Sequence, residues 1–377
     1  MIYLDNAATT FKKPKSVSYA LSNAMVNFGA NAGRGGYALA RKAAETVFDT
    51  RELLCEFFGI DSPENLAFFP NTTYALNAAI YGVLKDGGHA VTTSMEHNSV
   101  VRPLAELERL GKVRFTVVQA DREGRINPDD INNAIRPDTR LLIMTGASNV
   151  CGNIYDIEKA AEIAHNRGVP ILVDGAQIAG FIPVDAKKFD MFAFPGHKGL
   201  MGPQGTGGLF VAPHIKLNPL ISGGTGSMSE SMLQPDSMPD RLESGTVNMP
   251  AIAGLYEGVK FIMKEGLDAI YSKENELLKF SIERLKNMEN VTCYGDFEGK
   301  HAGVLSFNIE GKDSVWVSNE LDERFFIAVR GGLHCSPFAH KTLGTMPKGT
   351  VRMSFGYFNT KNEVKRAVDA IYKLSKE

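Results

Sequence analysis

The sequence predicts an α/β fold in which helices cover both faces of a mostly parallel sheet. Over the first 250 or so residues, short apolar runs of strand length alternate with stretches of helical length. Strands alternating with helices at these spacings favour a parallel sheet, because each parallel connection needs a crossover. Many of the 37 glycines cluster near Gly196–Gly208 and Gly223–Gly226, which indicates close backbone approach rather than a flexible linker.

The elements of this first part follow one another at regular spacing. Strands are predicted over Asn65–Pro70, Ala90–Ser94, Val113–Val118, Leu141–Thr145, Ile171–Asp174, Phe192–Phe194 and Gly208–Val211. Helices are predicted over Thr73–Val83, Val100–Leu110 and Ile157–His165. Ligands of such sheets bind beyond the carboxyl ends of the strands, which is where Thr72, His97, Asn149 and Asp174 fall.

The pattern changes at about Met249 and predicts a smaller α+β domain. The predicted elements are a long helical stretch to about Met288, then Val304–Ile309, Val315–Glu323, Phe325–Val329, Val351–Phe355 and Lys361–Lys373. We therefore divide the chain into an N-terminal segment 1–15, which contributes to the active site and the small domain, a large domain 16–250 and a small domain 251–377. The small domain carries Cys335 and Arg352.

Composition excludes several classes of protein. The chain of 377 residues has a net charge of −2, which gives no electrostatic reason to expect nucleic acid or a membrane surface as a partner. It has no apolar run that approaches a membrane span, and its first residues lack the pattern of a signal peptide. The four cysteines are too scattered for a zinc site or a disulfide framework. We expect a cytoplasmic protein with reduced thiols and no metal.

Asp174 and Lys198 are the most informative pair of residues. Asp174 ends a predicted buried strand, and Lys198 follows in a glycine-flanked turn after a later strand. A lysine amine that forms a Schiff base and a carboxylate that keeps a pyridine nitrogen protonated are what a pyridoxal phosphate enzyme needs. A solvated lysine and a helix-capping aspartate remain the alternative for each residue taken alone.

Other strand-end residues fit the same cofactor, although each has an ordinary alternative. The amides and hydroxyls of Thr72 and Thr73 suit a phosphate at a helix N-terminus, or they form a plain N-cap. His97 suits stacking on a flat ring and moving protons, or it is an incidental loop histidine. Asn149 and Gln177 suit hydrogen bonds to a phenolic oxygen, or they are turn residues.

Taken in order, these phrases give a family resemblance that spans nearly the whole chain. The matching phrases are Tyr3-Leu4-Asp5-Asn6-Ala7-Ala8, Asn71-Thr72-Thr73, Glu96-His97-Asn98, Ser148-Asn149-Val150, Val173-Asp174-Gly175-Ala176-Gln177, Gly196-His197-Lys198, Glu243-Ser244-Gly245-Thr246, His334-Cys335 and Tyr357-Phe358-Asn359-Thr360. The chain resembles a class V aminotransferase-fold protein, and more narrowly the cysteine desulfurase and selenocysteine lyase group. The resemblance implies a type I pyridoxal phosphate-dependent transferase fold and a homodimer.

The resemblance also implies roles for individual residues. Lys198 would be the Schiff-base lysine, Asp174 the partner of the pyridine nitrogen and His97 the catalytic residue that stacks on the ring. The remaining cofactor contacts would come from Thr72, Thr73, Asn149, Gln177 and His197, with Thr246 reaching across from the other subunit. The substrate contacts would come from Ala8, Asn149, Arg330 and Arg352. For Arg352 a charge at the sheet edge is the alternative, although its fork suits a carboxylate.

Cys335 separates a desulfurase from a plain aminotransferase. It lies in a loop bounded by glycine and proline, with Arg330 and His334 nearby to favour the reactive thiolate. The resemblance implies that L-cysteine becomes L-alanine while its sulfur passes to Cys335 as a persulfide, and then to a possible acceptor protein. The alternatives are an incidental loop thiol, selenocysteine lysis, cysteine sulfinate desulfination, transamination of a small amino acid and a non-catalytic scaffold.

Three positions depart from the pattern of the group. Pro195 stands where relatives commonly carry a phosphate-binding hydroxyl, and Gly33 replaces a histidine near the substrate entrance. The stretch between Gly223 and Glu243 is short for a group that often has a β-hairpin there. We expect the cofactor to bind through the remaining contacts, and surface loops to set the choice of sulfur acceptor.

Overall fold

The computed structural model describes residues 1–33 and 35–377. The helices are α1 (Lys15–Asn27), α2 (Ala38–Phe58), α3 (Thr72–Val83), α4 (Asn98–Arg109), α5 (Pro128–Ala134), α6 (Ile157–Asn166), α7 (Met249–Glu265), α8 (Leu267–Lys286), α9 (Ser314–Phe325), α10 (Pro337–Thr342) and α11 (Lys361–Lys376). The strands are β1 (Ile2–Tyr3), β2 (Leu66–Phe69), β3 (Gly88–Thr93), β4 (Val113–Val118), β5 (Thr139–Thr145), β6 (Ile171–Asp174), β7 (Met191–Pro195), β8 (Gly207–Val211), β9 (Val291–Tyr294), β10 (Val304–Ile309), β11 (Ile327–Ala328), β12 (Arg330–Gly332) and β13 (Thr350–Ser354).

The large sheet has seven strands in the order β2-β8-β7-β6-β5-β3-β4. Strands β7, β6, β5, β3 and β4 are parallel, and β8 runs antiparallel to both of its neighbours. Since β2 and β7 are both antiparallel to β8, β2 ends at the same edge as the parallel strands. The predicted mostly parallel sheet is confirmed. Because these strands all end at the same edge of the sheet, the candidate site residues that follow β2, β3, β5, β6 and β7 meet there.

A second, antiparallel sheet organises the C-terminal part in the order β12-β13-β10-β9. The apolar faces of α8, α9 and α11 pack on it, with Phe307, Leu321 and Ile371 fully buried between them. The N-terminal strand β1 pairs in parallel with β11 of this part, and Leu4 is buried in the same core. The smaller α+β unit is therefore present as predicted, and the structure shows that its sheet is antiparallel. The domain boundaries at residues 15 and 250 stay predictions.

The structure differs from the predicted elements mainly near the N-terminus. Helices α1 and α2 were not predicted, and neither begins with a side-chain cap. Helix α1 also leaves Tyr19, Met25 and Val26 exposed, so its sequence lacks a single apolar stripe. The long helical stretch after Met249 is two helices, because Gly266 has a φ of 85° between α7 and α8.

Candidate active site

The carboxyl edge of the large sheet surrounds a cavity of about 90 Å³. Eight of the predicted site residues line it: Thr72, Thr73, His97, Asn149, Asp174, Gln177, His197 and Lys198. Five others, Ala8, Thr246, Arg330, Cys335 and Arg352, are not among its lining residues. Of these, Thr246 lines a separate apolar cavity of about 370 Å³ next to Phe68 and Leu220.

Lys198 lies in the turn that follows β7, and two glycines shape this turn. A Cβ at Gly196 would lie 2.1 Å from the Thr206 hydroxyl, and one at Gly199 would lie 2.4 Å from the Ala179 carbonyl oxygen. The Lys198 carbonyl accepts hydrogen bonds from the Thr10 hydroxyl at 2.9 Å and from the Met201 amide at 2.9 Å. The backbone beside Lys198 is therefore fixed by close packing.

The environment of the Lys198 amine favours its neutral form. Burial lowers the pKa of Lys198 to about 8, and the charges of Arg352 and Arg330 act in the same direction. Asp174 and Asp5 oppose this pKa shift because they stabilise the ammonium form. An amine with a pKa near 8 is partly unprotonated at neutral pH and so can act as a nucleophile or a base.

Asp174 is the last residue of β6 and is almost completely buried. One carboxylate oxygen accepts a hydrogen bond from the Ala176 amide at 2.9 Å. Burial raises the pKa of Asp174, while the Ala176 amide and the charge of Lys198 oppose that rise. A buried carboxylate with a single backbone donor favours a positively charged partner in the cavity.

His97 caps the N-terminus of α4 with its ring. The Ser99 amide donates to His97 Nδ1 at 3.1 Å, so the neutral ring carries its proton on Nε2. Burial, followed by the charge of Lys198, lowers the pKa of His97 to about 4, which keeps the ring neutral at physiological pH. The Ser99 hydroxyl lies 2.9 Å from His97 Nδ1 and 2.8 Å from the Thr73 hydroxyl, so Thr73 reaches His97 through Ser99.

Thr72 and His197 add two further hydrogen-bonding groups to the lining of the cavity. Thr72 begins α3, and its buried hydroxyl has no hydrogen-bond partner among the described residues. Burial lowers the pKa of His197 to about 4, with Lys198 and Lys13 acting in the same direction. His197 Nδ1 lies 3.0 Å from the Thr9 hydroxyl. A buried donor without a partner at a helix N-terminus is suited to an anionic group.

Arg352 and Arg330 lie opposite each other on β13 and β12 and share the carboxylate of Asp5. Arg352 Nη2 is 2.8 Å from Asp5 Oδ1, and Arg330 Nη2 is 3.0 Å from Asp5 Oδ2. Arg352 also donates from Nη1 to the Asn149 carbonyl oxygen at 2.9 Å. Only 2% of Arg352 is exposed, which excludes the alternative of a surface charge at the sheet edge. Its buried Nε has no partner within the described chain.

Cys335 is exposed, and its loop is hydrogen-bonded to Asn149 of the cavity wall and to Asn98. Its carbonyl oxygen accepts from the Asn98 amide at 2.7 Å, and the preceding carbonyl of His334 accepts from Asn149 Nδ2 at 2.8 Å. Asn149 therefore belongs both to the cavity wall and to the support of this loop. Ala8 is half-buried, and its amide donates to the Asp5 carbonyl oxygen at 3.1 Å. The carbonyl oxygen of the preceding residue, Ala7, accepts a hydrogen bond from Gln177 Nε2.

Three residues of this region were not singled out from the sequence. Asp5 joins the two arginines, and Asn98 holds the Cys335 carbonyl. Glu96 is fully buried behind the cavity, and burial raises its pKa to about 8. Glu96 and Asn98 flank His97 in the sequence, and Asp5 lies in the N-terminal phrase of the family resemblance. Closeness in sequence to predicted site residues was therefore the only feature that could have drawn attention to these three residues.

Comparison with known proteins identifies the family. The Aminotransferase class-V family model matches residues 2–367. The chain belongs to the class-V aminotransferase family. Within the described residues, none of the helices combines the length and apolar character that a membrane crossing requires.

Relatives of this class-V chain carry a consistent name. A probable cysteine desulfurase of Methanothermobacter thermautotrophicus is 34% identical over 96% of this chain and 92% of that protein. One from Halalkalibacterium halodurans is 35% identical over 97% of this chain and 90% of that protein. The apo structure of a cysteine desulfurase from Thermococcus onnurineus has a TM-score of 0.93 at 33% identity, covering 100% of this chain and 94% of that one. The predicted type I fold is thereby confirmed.

Proposed function

We propose that this protein is a pyridoxal phosphate-dependent cysteine desulfurase that passes sulfur through Cys335. The observation that carries the proposal is the position of Cys335, an exposed thiol whose loop is held by Asn98 and Asn149 beside the cavity of Lys198 and Asp174. The names of the relatives support the same activity. Transfer of an amino group does not require a thiol nucleophile, whereas removal of sulfur as a persulfide does.

The residues that line the cavity fit the cofactor. The Thr72 hydroxyl without a partner, the N-terminus of α3 and His197 would hold the phosphate. Asp174 would face the pyridine nitrogen, His97 would lie against the ring, and Asn149 and Gln177 would bind the phenolic oxygen. Thr73 would contribute through Ser99. Pro195 ends β7 and also lines the cavity, where it supplies neither hydroxyl nor amide hydrogen.

Pyridoxal phosphate, when bound, supplies an electron sink that makes the carbon–sulfur bond of cysteine breakable. Lys198 would provide the amine that holds the cofactor covalently, and its Nζ would also serve as a base. The lowered pKa of Lys198, about 8, suits both tasks because the neutral amine is accessible at physiological pH. His97, kept neutral with its proton on Nε2, can donate a hydrogen bond from Nε2 without adding a charge to the cavity.

Arg352 would hold the carboxylate of the substrate, together with Arg330, Asn149 and Ala8. The buried Arg352 Nε has a proton to donate and no partner among the described residues, while its Nη2 already binds Asp5. The Asp5 carboxylate keeps both guanidinium groups in place. A substrate carboxylate would share the fork of Arg352 with Asp5 or displace it.

The sulfur transfer balances without a further oxidant. The Cys335 thiolate attacks the sulfur of L-cysteine, a sulfur–sulfur bond forms and the carbon–sulfur bond breaks. The electron pair and a proton return to the carbon fragment, which leaves as L-alanine, and a persulfide remains on Cys335. A thiol of an acceptor protein or reductant then removes the terminal sulfur.

The test is Cys335→Ser, assayed for alanine and sulfide production from L-cysteine in the presence of a thiol reductant. We expect both products to fall by about a thousandfold or more, because serine has no thiolate to attack sulfur. Cys293→Ser, which changes a half-buried thiol of the small sheet, is the matched control and should retain activity. Undiminished sulfide release by Cys335→Ser would refute the proposal.

We also propose that the active protein is a cytoplasmic homodimer. Thr246, which the family resemblance assigns to the phosphate, lines a separate cavity of its own chain, so its proposed role requires the partner subunit. Thr246→Ala should weaken cofactor binding, although it leaves every residue that lines the Lys198 cavity of its own chain as in the wild type. Mixing Thr246→Ala with Lys198→Ala chains provides the check. Heterodimers in which one site combines wild-type Lys198 with wild-type Thr246 should regain activity.

A further inference from the structure

The backbone at Cys335 has a conformation that its residues do not favour on their own. His334 and Cys335 both have positive φ angles, 49° and 58°, in the left-handed region. Two consecutive non-glycine residues there cost free energy, so contacts outside the loop must hold the conformation. Cys335 is exposed, whereas its neighbours His334 and Ser336 are buried.

Hydrogen bonds to two residues that follow strands β3 and β5 supply this support. The carbonyl groups of His334 and Cys335 are bound by Asn149 and Asn98, as described above. The buried hydroxyl of Ser336 donates to Asn149 Oδ1 at 2.7 Å. The Asn149 amide therefore makes two hydrogen bonds to the loop, one through its nitrogen and one through its oxygen.

The Ser336 hydrogen bond sets the orientation of this amide. With Oδ1 accepting from Ser336, Asn149 must present Nδ2 to the His334 carbonyl, and a flipped amide would lose both interactions. Each of the two groups keeps one unused position, a second proton on Nδ2 and a second lone pair on Oδ1, for a ligand in the cavity. The side chain that faces the cavity is thus oriented by the residue that follows Cys335.

We propose that Ser336 is a positioning residue, which holds the Cys335 loop in its left-handed conformation and fixes the Asn149 amide between loop and cavity. Ser336 does not line the cavity of Lys198, so it acts through Asn149. The catalytic consequence rests on the proposed function. The anchoring of the loop does not, and it can be measured separately.

The Asn98 amide is a natural reporter of loop docking. Asn98 is the first residue of α4, so its N–H has no acceptor within the helix, and its partner is the Cys335 carbonyl oxygen at 2.7 Å. Opening of the loop exposes this N–H to water, and its exchange rate then measures the opening equilibrium.

The experiment compares wild-type protein with Ser336→Ala by hydrogen exchange at residue resolution. In Ser336→Ala we expect the Asn98 amide to exchange about five- to tenfold faster. This factor corresponds to the stability that one buried hydrogen bond gives to the closed loop. Amides in β6, which do not contact the loop, should keep their wild-type rates. Faster exchange throughout the chain would mean general destabilisation and would overturn the positioning role.

Ser281→Ala is the matched control. Ser281 is a fully buried serine of α8 whose hydroxyl donates to the Leu277 carbonyl oxygen at 2.9 Å. It removes a similar hydrogen bond from the C-terminal part of the chain but does not touch the loop. The Asn98 amide should exchange at the wild-type rate in this variant, and an acceleration equal to that of Ser336→Ala would overturn the proposal.

Coupling through Asn149 is tested by a double-mutant cycle on the same amide. Asn149→Ala should accelerate Asn98 exchange more than Ser336→Ala does, since it removes both contacts to the loop. Adding Ser336→Ala to Asn149→Ala should then have little further effect. Additive effects would contradict coupling through Asn149. If Ser336→Ala does not fold, Asn149→Ala alone decides, because wild-type protection of Asn98 in that variant would overturn the anchor.

Steady-state kinetics with L-cysteine separate positioning from substrate binding. In Ser336→Ala we expect kcat to fall by about threefold or more, because the Asn149 amide and the Cys335 thiol lose their fixed positions, with KM changed by less than about twofold. Faster Asn98 exchange with unchanged kcat would refute the positioning role. A protein that makes no sulfide from L-cysteine would refute the proposed function, while the exchange measurements would still test the anchor.

Discussion

Lys198 illustrates how burial and neighbouring charges together prepare a single residue. Removing the amine from water disfavours its protonated form, and two arginines add to this effect. Asp174 opposes this lowering of the Lys198 pKa, because its negative charge stabilises the protonated amine. The pKa of about 8 is therefore the result of opposing influences that the sequence alone does not reveal.

The covalent role of Lys198 gives a direct prediction. Borohydride reduction of the protein with bound pyridoxal phosphate should trap the cofactor on Lys198, and peptide mass spectrometry should locate it there. Lys198→Ala should give no trapped cofactor, whereas Lys13→Ala, which removes a nearby lysine that contacts the His197 carbonyl, should still be labelled at Lys198. Labelling at any other lysine would contradict the assignment.

Asp5 gives a second prediction at this scale. Asp5→Asn removes the charge that Arg352 and Arg330 share, and it leaves the Arg352 guanidinium buried without a counterion. We expect the free energy of unfolding to fall by about 2–4 kcal/mol, measured by denaturant titration. Arg330→Ala, which removes the more exposed partner, should cost about 1 kcal/mol or less. Equal losses of unfolding free energy in Asp5→Asn and Arg330→Ala would mean that the burial of Arg352 does not determine the cost of removing the Asp5 charge.

Turns and helix termini, rather than helix and strand interiors, carry the chemistry of this fold. Gly199 is an example, because its missing side chain lets the Lys198 turn approach the Ala179 carbonyl oxygen. Gly199→Ala should displace Lys198 and lower kcat for sulfide production by about tenfold or more. At Gly36 an added Cβ has no atom of the described residues within 4 Å, so Gly36→Ala should leave kcat unchanged. Wild-type kcat in Gly199→Ala would show that the turn is free to adjust.

The regular elements were the part of the fold that the sequence predicted best. Strands β6 and β10 both have the predicted bounds, because each is a short, mostly apolar run with glycine or proline nearby to mark its ends. Helices α1 and α2 were missed since neither has a capping side chain. Of the site, the strand-end residues were predicted. The contacts of Asp5, Asn98 and Ser336 depend on distant parts of the chain and have no local pattern.

At the scale of the whole molecule, a buried carboxyl group lies between the two sheets. Glu274 of α8 lines a small cavity that also contacts Lys198, Ser354 and Gln177. Burial raises the pKa of Glu274 from 4.5 to about 8. The native state therefore holds a proton that the unfolded chain releases above its lower pKa.

This proton uptake makes stability depend on pH in a defined direction. Because the native state binds the extra proton, the free energy of unfolding falls as pH rises from about 4.5 to about 8. Glu274→Gln should remove this contribution, about 5 kcal/mol across that window, and make the slope less steep, leaving the similar contribution of Glu96. Glu276→Gln, at an exposed site on the same helix, is the matched control. Identical slopes for Glu274→Gln and wild type would contradict the protonation of Glu274.

The most direct test of the sulfur-transfer account is to look for the transferred sulfur itself. The protein with bound pyridoxal phosphate is incubated briefly with L-cysteine in the absence of reductant, alkylated, digested and examined by mass spectrometry. We predict that the Cys335 peptide gains the mass of one sulfur atom, while peptides with Cys55, Cys151 and Cys293 gain none, and that the gain disappears on addition of a thiol. Alanine formed in stoichiometric amounts with no added sulfur on Cys335 would contradict the account.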